Sequence, residues 1–507
     1  MAGGKPRDVR QYGDFQTPAG LAAEVCAVLR RLGIDAPAIL EPTCGVGAFL
    51  EAAAAGFPNC RTLLGVDINA AHLARARRTS AARVEQGDFF RIDWRRVLAR
   101  DEGPWLILGN PPWVTNAELG LLGSGNLPAK SNFHGRRGLE AITGKANFDI
   151  SEWMLLRQLS WLNERSGWIA MLVKTSVARK VLRQAWKRGD PVGRAAIFRI
   201  DAMRHFGAAV DACLFVLPVN AGALSRDCDV YATLAATEPE AIIGFHDGAL
   251  VADVRAYARL RDLAGPNSDY LWRSGVKHDC SRVMELSRTG RRLANGAGET
   301  VELEDAYLFP MLKSSDVAKG RLSSDRFMIV TQRSTGEDTS PIARAAPATW
   351  AYLLSNAASL DRRRSLIYRN KARFSVFGVG EYSFAPWKVA ISGFYKDFRF
   401  IKVGPRGGKP VVFDDTIYFL PCRSEDEADF VLGLVQSDPY RRLLAALAFA
   451  DEKRPITADL LRRISLERVA ARLGLCERYE RLTGRSGRRQ PEPGTPIAAA
   501  AHVPRRP

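Results

Sequence analysis

Ala38-Ile39-Leu40-Glu41-Pro42-Thr43-Cys44-Gly45-Val46-Gly47-Ala48-Phe49-Leu50 reads as a short buried strand, a glycine-bearing turn and the start of an alanine-rich helix. Gly45 and Gly47 let the backbone fold tightly and let a ligand approach with no Cβ in the way. The third glycine of a dinucleotide fingerprint is missing, and the strand ends on an acid, Glu41. A carboxylate there repels a pyrophosphate but attracts a cation. S-adenosylmethionine carries both an ammonium and a sulfonium, so it suits this turn better than NAD or ATP.

Outward from that turn, Thr62-Leu63-Leu64-Gly65-Val66-Asp67 is a second strand. Asp67 lies near the spacing of roughly 20 residues at which an acid ending the second strand holds ribose hydroxyls. Arg83-Val84-Glu85 leads into Gly87-Asp88-Phe89-Phe90, where Asp88 can accept from an adenine amine and Phe89 or Phe90 can stack on the ring. Singly, Asp67 and Asp88 are ordinary cap and turn residues; their order behind the glycine turn sets them apart.

The fourth strand, Trp105-Leu106-Ile107-Leu108, stops at Gly109-Asn110-Pro111-Pro112-Trp113. The Asn110 side-chain oxygen and the Pro111 carbonyl can both accept hydrogen bonds. Neither proline offers an N–H in competition, and their fixed φ angles hold the turn rigid. Trp113 adds a flat face. Two acceptors and a stacking plate suit an exocyclic amine on a planar base, whose lone pair is conjugated into the ring. Accepting both hydrogens favours a more tetrahedral nitrogen and frees that lone pair to attack an electrophile.

Upstream, Phe15-Gln16-Thr17-Pro18 reads as an extended entry to a helix, with Thr17 as N-cap and Pro18 at its first position. Downstream, Gly167 to Val173, Ile197 to Ile200 and Ala212 to Leu217 are three more strands, with Phe206 on the turn between the last two. Seven short strands alternating with helices predict a doubly wound α/β sheet. The last pair leaves no room for a crossover helix, so one edge strand should run antiparallel. The glycine-rich, basic stretch Glu118 to Phe148 reads as a lid or a substrate-contacting flap.

The chain has 507 residues, enough for two or three domains, and a net charge of +18. That excess of Lys and Arg suggests a polyanionic partner, nucleic acid first. No apolar run reaches the ~18 residues of a membrane span, and the polar start has no signal-peptide core. The eight cysteines show no paired spacing and the six histidines do not cluster beside them. No metal site is therefore expected, and a reducing cytoplasm fits.

From about Ala221 the character changes. Asp361 to Arg373 is strongly basic around Tyr368, and Phe374 to Phe400 is rich in glycine and aromatics, a mixture that suits phosphate contact and base stacking. A solvated charged face over an ordinary β core is the plainer alternative. The expected domains are 1–220 with the cofactor motifs, 221–470 with a connecting segment and the basic, aromatic stretches, and 471–507 as a helix end and disordered tail.

Taken in order, Phe15 to Pro18, Glu41 to Gly47, Asp67, Gly87-Asp88-Phe89, Asn110 to Trp113 and a separate C-terminal half resemble the gamma-class DNA amino-methyltransferases of restriction–modification systems, the adenine-specific kind. The resemblance implies a Rossmann-like, seven-stranded methyltransferase sheet and a C-terminal α+β target-recognition domain. It implies that Thr17, Pro18, Glu41, Thr43, Gly45 and Gly47 line the methionine end of S-adenosylmethionine, that Asp67 holds the ribose, and that Asp88 with Phe89 or Phe90 meets the adenine. Asn110 and Pro111, followed by Pro112, would orient the target amine, with Trp113 and Phe206 as stacking faces for a base flipped out of double-stranded DNA. A neutral Asn110 cannot act as a general base, so catalysis would rest on placement. A separate restriction endonuclease is an expected partner. Ribosomal RNA and release-factor glutamine methyltransferases share the Asn-Pro-Pro-aromatic turn, and a catalytically silent recognition subunit is a further alternative.

Overall fold

Alternate residues of β1 (Ala38–Glu41) enter two different cores: Ala38 and Leu40 on one face of the sheet, Ile39 on the other. The same alternation runs through β4 (Trp105–Gly109), where Trp105 and Ile107 face one core and Leu106 and Leu108 the other. A strand buried on both faces carries an unbroken apolar run, which is why these segments are legible as central strands. The computed structural model describes residues 15–114, 149–290 and 292–484. The expected flap at Glu118 to Phe148 lies outside the described residues, as does the tail from 485.

The remaining strands of this sheet are β2 (Thr62–Asp67), β3 (Arg83–Gln86), β5 (Gly167–Lys174), β6 (Ala195–Ile200) and β7 (Ala212–Val219), followed by β8 (Asp227–Tyr231), β9 (Ala241–His246) and β10 (Ala249–Val251). Its helices are α1 (Ala19–Arg31), α2 (Ala48–Gly56), α3 (Ala70–Thr79), α4 (Trp94–Leu98), α5 (Ile150–Leu162), α6 (Thr175–Arg188) and α7 (Ala202–Phe206). Leu21, Val25 and Leu29 of α1 pack with Phe49 and Ala53 of α2 over one face. Met154, Leu155 and Leu159 of α5 and Val177, Val181 and Leu182 of α6 cover the other. The result is the doubly wound α/β arrangement.

Strand order is β10-β9-β8-β6-β7-β5-β4-β1-β2-β3. β1 pairs in parallel with both β2 and β4, so the winding reverses there and the carboxyl ends of β1 and β4 open onto a switch-point crevice. β7 is antiparallel to β5 and β6, as its short connection requires, but it lies between them and not at an edge. The seven expected strands are joined by three more, because β8 pairs in parallel with β6 and buries Cys228 and Val230.

The stretch after 220, read as a connecting segment, therefore extends the sheet. One compact unit runs to Arg259 and includes Ala445–Glu452; the other comprises Leu260–Leu444 and the chain from Lys453. This division differs from the expected boundary at 220, since ladder hydrogen bonds to β6 hold β8 in the first unit.

The second unit holds a four-stranded sheet, built around Trp387–Ser392 and Ile417–Cys422, and a six-stranded one that includes Glu285–Thr289, Leu308–Leu312 and Arg326–Ile329. Helices including Glu425–Gln436 and Cys476–Thr483 complete an α+β fold. Tyr479 is buried against Tyr270, with ring centroids 5.8 Å apart, so the chain past 471 still belongs to the packed body through 484. Among the described residues no helix is long and apolar enough to cross a membrane, and no cluster of potential metal ligands occurs. All eight cysteines are free.

Candidate active site

β5, β4, β1 and β2 are parallel neighbours in that order, so their carboxyl ends lie along one edge of the sheet. In the β1–β4 register Leu40 stands beside Ile107, so Glu41 and the Gly109-Asn110 step leave the sheet side by side. Gly109 takes φ +156°, and a Cβ there would come within 3.4 Å of Glu41 Cγ. Glu41 is 3% exposed, and its Oε2 is buried with no partner. Burial first, and the charge of Asp67 second, raise its carboxyl well above the ordinary range, against a backbone hydrogen bond from Leu50.

The glycine turn is held by side chains on both sides. Gly45 N–H donates to Asp67 Oδ2 at 2.8 Å, and Asn69 N–H donates to Asp67 Oδ1 at 2.8 Å. Val46 N–H donates to Gln16 Oε1 at 3.1 Å. Gly45 has φ +50°, and a Cβ on it would meet Gln16 Oε1 at 2.5 Å; Gly47 has φ +89° and faces Ala76 Cβ at 2.9 Å. Both positions demand glycine, as the sequence suggested. Thr43 is half-buried between Glu41 and this turn.

The Asn110 side chain is anchored at its nitrogen end. Its Nδ2 donates to Phe15 O at 2.9 Å and lies 3.3 Å from Thr17 Oγ1. A carbonyl can only accept, so Phe15 fixes which end of the amide is nitrogen. The opposite end, Oδ1, is buried and has no partner. Such an acceptor is costly to leave unmet and is ready for a donor. Thr17 is not the helix cap expected from sequence. Pro18 occupies that position without a side-chain cap, and the Thr17 hydroxyl turns to Asn110 instead.

Trp113 was expected as an open stacking plate. The residue is 5% exposed, its Nε1 donates to Leu172 O at 3.0 Å, and its ring packs with Phe15 (5.8 Å between centroids) and Phe206 (5.1 Å). Trp113 is thus the back wall of an aromatic trio, and the half-buried Phe206 keeps ring surface free. Pro111 is buried beside it and Pro112 half-buried. The structure brings Phe206 to Asn110's end of the sheet, against Phe15 and Trp113.

At the cofactor's expected adenine end, Asp88 Oδ1 accepts from Phe90 N at 2.9 Å. Phe89 is buried against Trp94 and Trp161, at 5.3 and 5.5 Å, so Phe90 is the one of the pair with an accessible face. Sequence reasoning missed Gln16, whose amide braces the glycine turn, and Phe15, whose carbonyl anchors Asn110 and whose ring packs on Trp113 and Phe206. Both stand directly before Thr17-Pro18, and that adjacency was the available signal. It also missed Lys174, the last residue of β5, whose Nζ donates to Trp113 O.

The fold is a doubly wound α/β sheet whose glycine turn and Asn110 turn leave neighbouring strands at the switch point. The chain is 43% identical over 467 residues to the type II methyltransferase M.NspV of Nostoc sp., a match that covers 91% of this chain and 97% of that protein. The chain belongs to the type II methyltransferase family. Its fold matches the type IIL restriction-modification enzyme MmeI, solved in complex with DNA, at a TM-score of 0.53 and 14% identity, over 90% of this chain and 68% of that one. The M protein of the type I restriction enzyme EcoKI overlaps 42% of this chain and 47% of its own, with 14% identity and a TM-score of 0.29. No family model matches.

Proposed function

We propose that this chain is a site-specific DNA adenine methyltransferase, the modification activity of a restriction–modification system. It would act in the cytoplasm on double-stranded DNA and protect that DNA from a separate restriction endonuclease. The observation that carries this reading is the orphaned, buried Asn110 Oδ1, beside a proline carbonyl and an aromatic trio.

The cofactor motifs fit S-adenosylmethionine. The unpartnered Glu41 Oε2 suits an ammonium, and Gly45 and Gly47, at φ +50° and +89°, let the backbone fold tightly behind it. Glu41, Thr43, Gly45 and Gly47, with Thr17 and Pro18, would hold the methionine part, Asp67 the ribose, and Asp88 with Phe90 the adenine. When bound, the cofactor supplies a methyl group made electrophilic by its sulfonium.

Asn110 Oδ1 and the Pro111 carbonyl accept the two hydrogens of the target amine, which pulls its lone pair out of conjugation and aims it. Because Asn110 is a neutral amide tied at its nitrogen end, it takes no proton, and placement supplies the rate. The surplus proton leaves to water. In a duplex that amine is paired, so the base must be flipped at about a few kcal/mol, with Phe206 as the face that receives it. In the second unit, exposed Arg362, Arg364, Arg369 and Lys371 suit phosphate contact.

Sequencing modified bases in DNA from cells expressing the chain tests the reading. N6-methyladenine at one fixed sequence is expected. Methyl groups on cytosine, or on RNA or protein alone, would overturn it.

A further inference from the structure

Two successive prolines leave the Asn-Pro-Pro-Trp turn without N–H groups at Pro111 and Pro112, so the turn cannot be tied to the sheet through its own backbone donors there. Its position depends on what grips its two ends. At the front, Asn110 Nδ2 reaches Phe15 O. At the back, the end of β5 grips Trp113 twice: Leu172 O accepts from the indole N–H at 3.0 Å, and Lys174 Nζ donates to the Trp113 carbonyl at 3.0 Å. The same ammonium donates to Asp149 Oδ2 at 2.8 Å. The Lys174 side chain is 22% exposed and that of Asp149 8%. Asp149 is itself fixed, its Oδ1 accepting from Ser151 N at 3.1 Å and from Ser151 Oγ at 2.5 Å as the cap of α5.

We infer that Lys174 is a positioning residue for methyl transfer: held by Asp149, it sets the carbonyl end of Trp113 and through it the Pro111 carbonyl and Asn110 Oδ1. The inference rests on the proposed role of Asn110. Lys174 touches neither the cofactor motifs nor the amine acceptors directly, so its loss should slow transfer and spare cofactor binding. A misplacement of about 1 Å at a distance from the chemistry costs about 100-fold in rate. A charge-assisted hydrogen bond with a buried, prearranged acceptor is strong enough to exert such control.

The test uses the full-length protein, total DNA from a host lacking the chain, and S-adenosylmethionine. Lys174→Met is expected to lower the single-turnover transfer rate about 10- to 100-fold, with cofactor affinity close to the parent; its melting temperature falls, because Asp149 loses its ammonium partner. Lys174→Arg, which can still bridge the carbonyl and the carboxylate, should recover most of the rate. Asp149→Asn keeps the cap through Oδ1 and removes the charge, so it should lower the rate less than Lys174→Met and add little in its background. It also serves if Lys174→Met does not fold. Parent-like transfer by Lys174→Met, or an activity loss matched by an equal loss of cofactor affinity, would overturn the inference. Asn110→Ala runs alongside: transfer by that variant sinks the underlying reading, whereas a dead Asn110→Ala beside a normal Lys174→Met sinks only the role of Lys174.

Discussion

The amide nitrogen of Asn110 lies 3.3 Å from the hydroxyl oxygen of Thr17, a residue 93 positions earlier in the chain. The contact orients the one side chain of the turn that presents an unpaired acceptor. Thr17→Val keeps the shape and deletes that hydrogen bond, leaving Phe15 O as the remaining anchor. A neutral hydrogen bond of about 1 kcal/mol corresponds to transfer about fivefold slower. Single-turnover kinetics at saturating cofactor check it; an unchanged rate would show that Phe15 alone suffices.

In the proposed reading, Glu41 couples cofactor binding to pH. Its carboxyl is raised in the free protein, so the folded state holds a proton that the unfolded chain releases above its ordinary range. The stability this contributes is full below the unfolded value near 4.5 and is lost as pH rises through the folded one. Glu41→Gln should therefore melt above the parent at pH 8 without cofactor, with the gap closing towards pH 4. It should also bind S-adenosylmethionine about 10- to 100-fold more weakly, because a charged hydrogen-bond partner is removed. Binding to the parent should release a proton, seen as a dependence of calorimetric heat on buffer ionisation enthalpy.

Arg179 is an inward-facing cation of the first unit, 5% exposed, with Asp451 at 2.6 Å and Glu452 at 3.6 Å. Its guanidinium also lies 4.6 Å from the centre of the Phe449 ring. Removing the near carboxylate leaves a buried charge without its main partner, a change that typically costs about 3–5 kcal/mol. Asp451→Ala should shift the urea midpoint accordingly, and a shift below about 1 kcal/mol would mean Glu452 takes over the pairing.

The basic run around Tyr368 divides into two kinds of arginine. Arg363 lies 3.8 Å over the Tyr368 ring and donates to Ser375 O at 2.7 Å, whereas Arg362, Arg364 and Arg369 are exposed. Neutralising the exposed three should flatten the log–log salt dependence of duplex binding by about 0.9 for each phosphate that they neutralise in the parent. Arg363→Gln should instead lower stability by about 1–3 kcal/mol and leave the slope alone. Fluorescence anisotropy across a salt series separates the two, and equal slopes for all variants would remove this surface from DNA binding.

Much of the first unit was legible because its signals are local. The apolar runs ending at Glu41, Asp67 and Gly109 are strands buried on both faces, and Gly45 and Gly47 mark backbone angles that other residues rarely adopt. The order of the acid, the glycines and the Asn-Pro-Pro-Trp turn then identified the crevice. Less legible was the edge of the sheet. β8, with its half-buried alternation, looks like any polar strand until β6 is there to pair with it.

The sequence by itself determined the strand–turn–helix frame and which residue types stand at its carboxyl ends, since backbone preference and side-chain type act within a few residues. Tertiary structure alone decided that Thr17 serves Asn110 instead of capping a helix, that Trp113 is a wall, that Arg363 braces a loop, and that Ala445–Glu452 returns to the first unit. Each depends on which distant group satisfies a hydrogen bond, a charge or an apolar face, and that choice exists only once the chain has closed on itself.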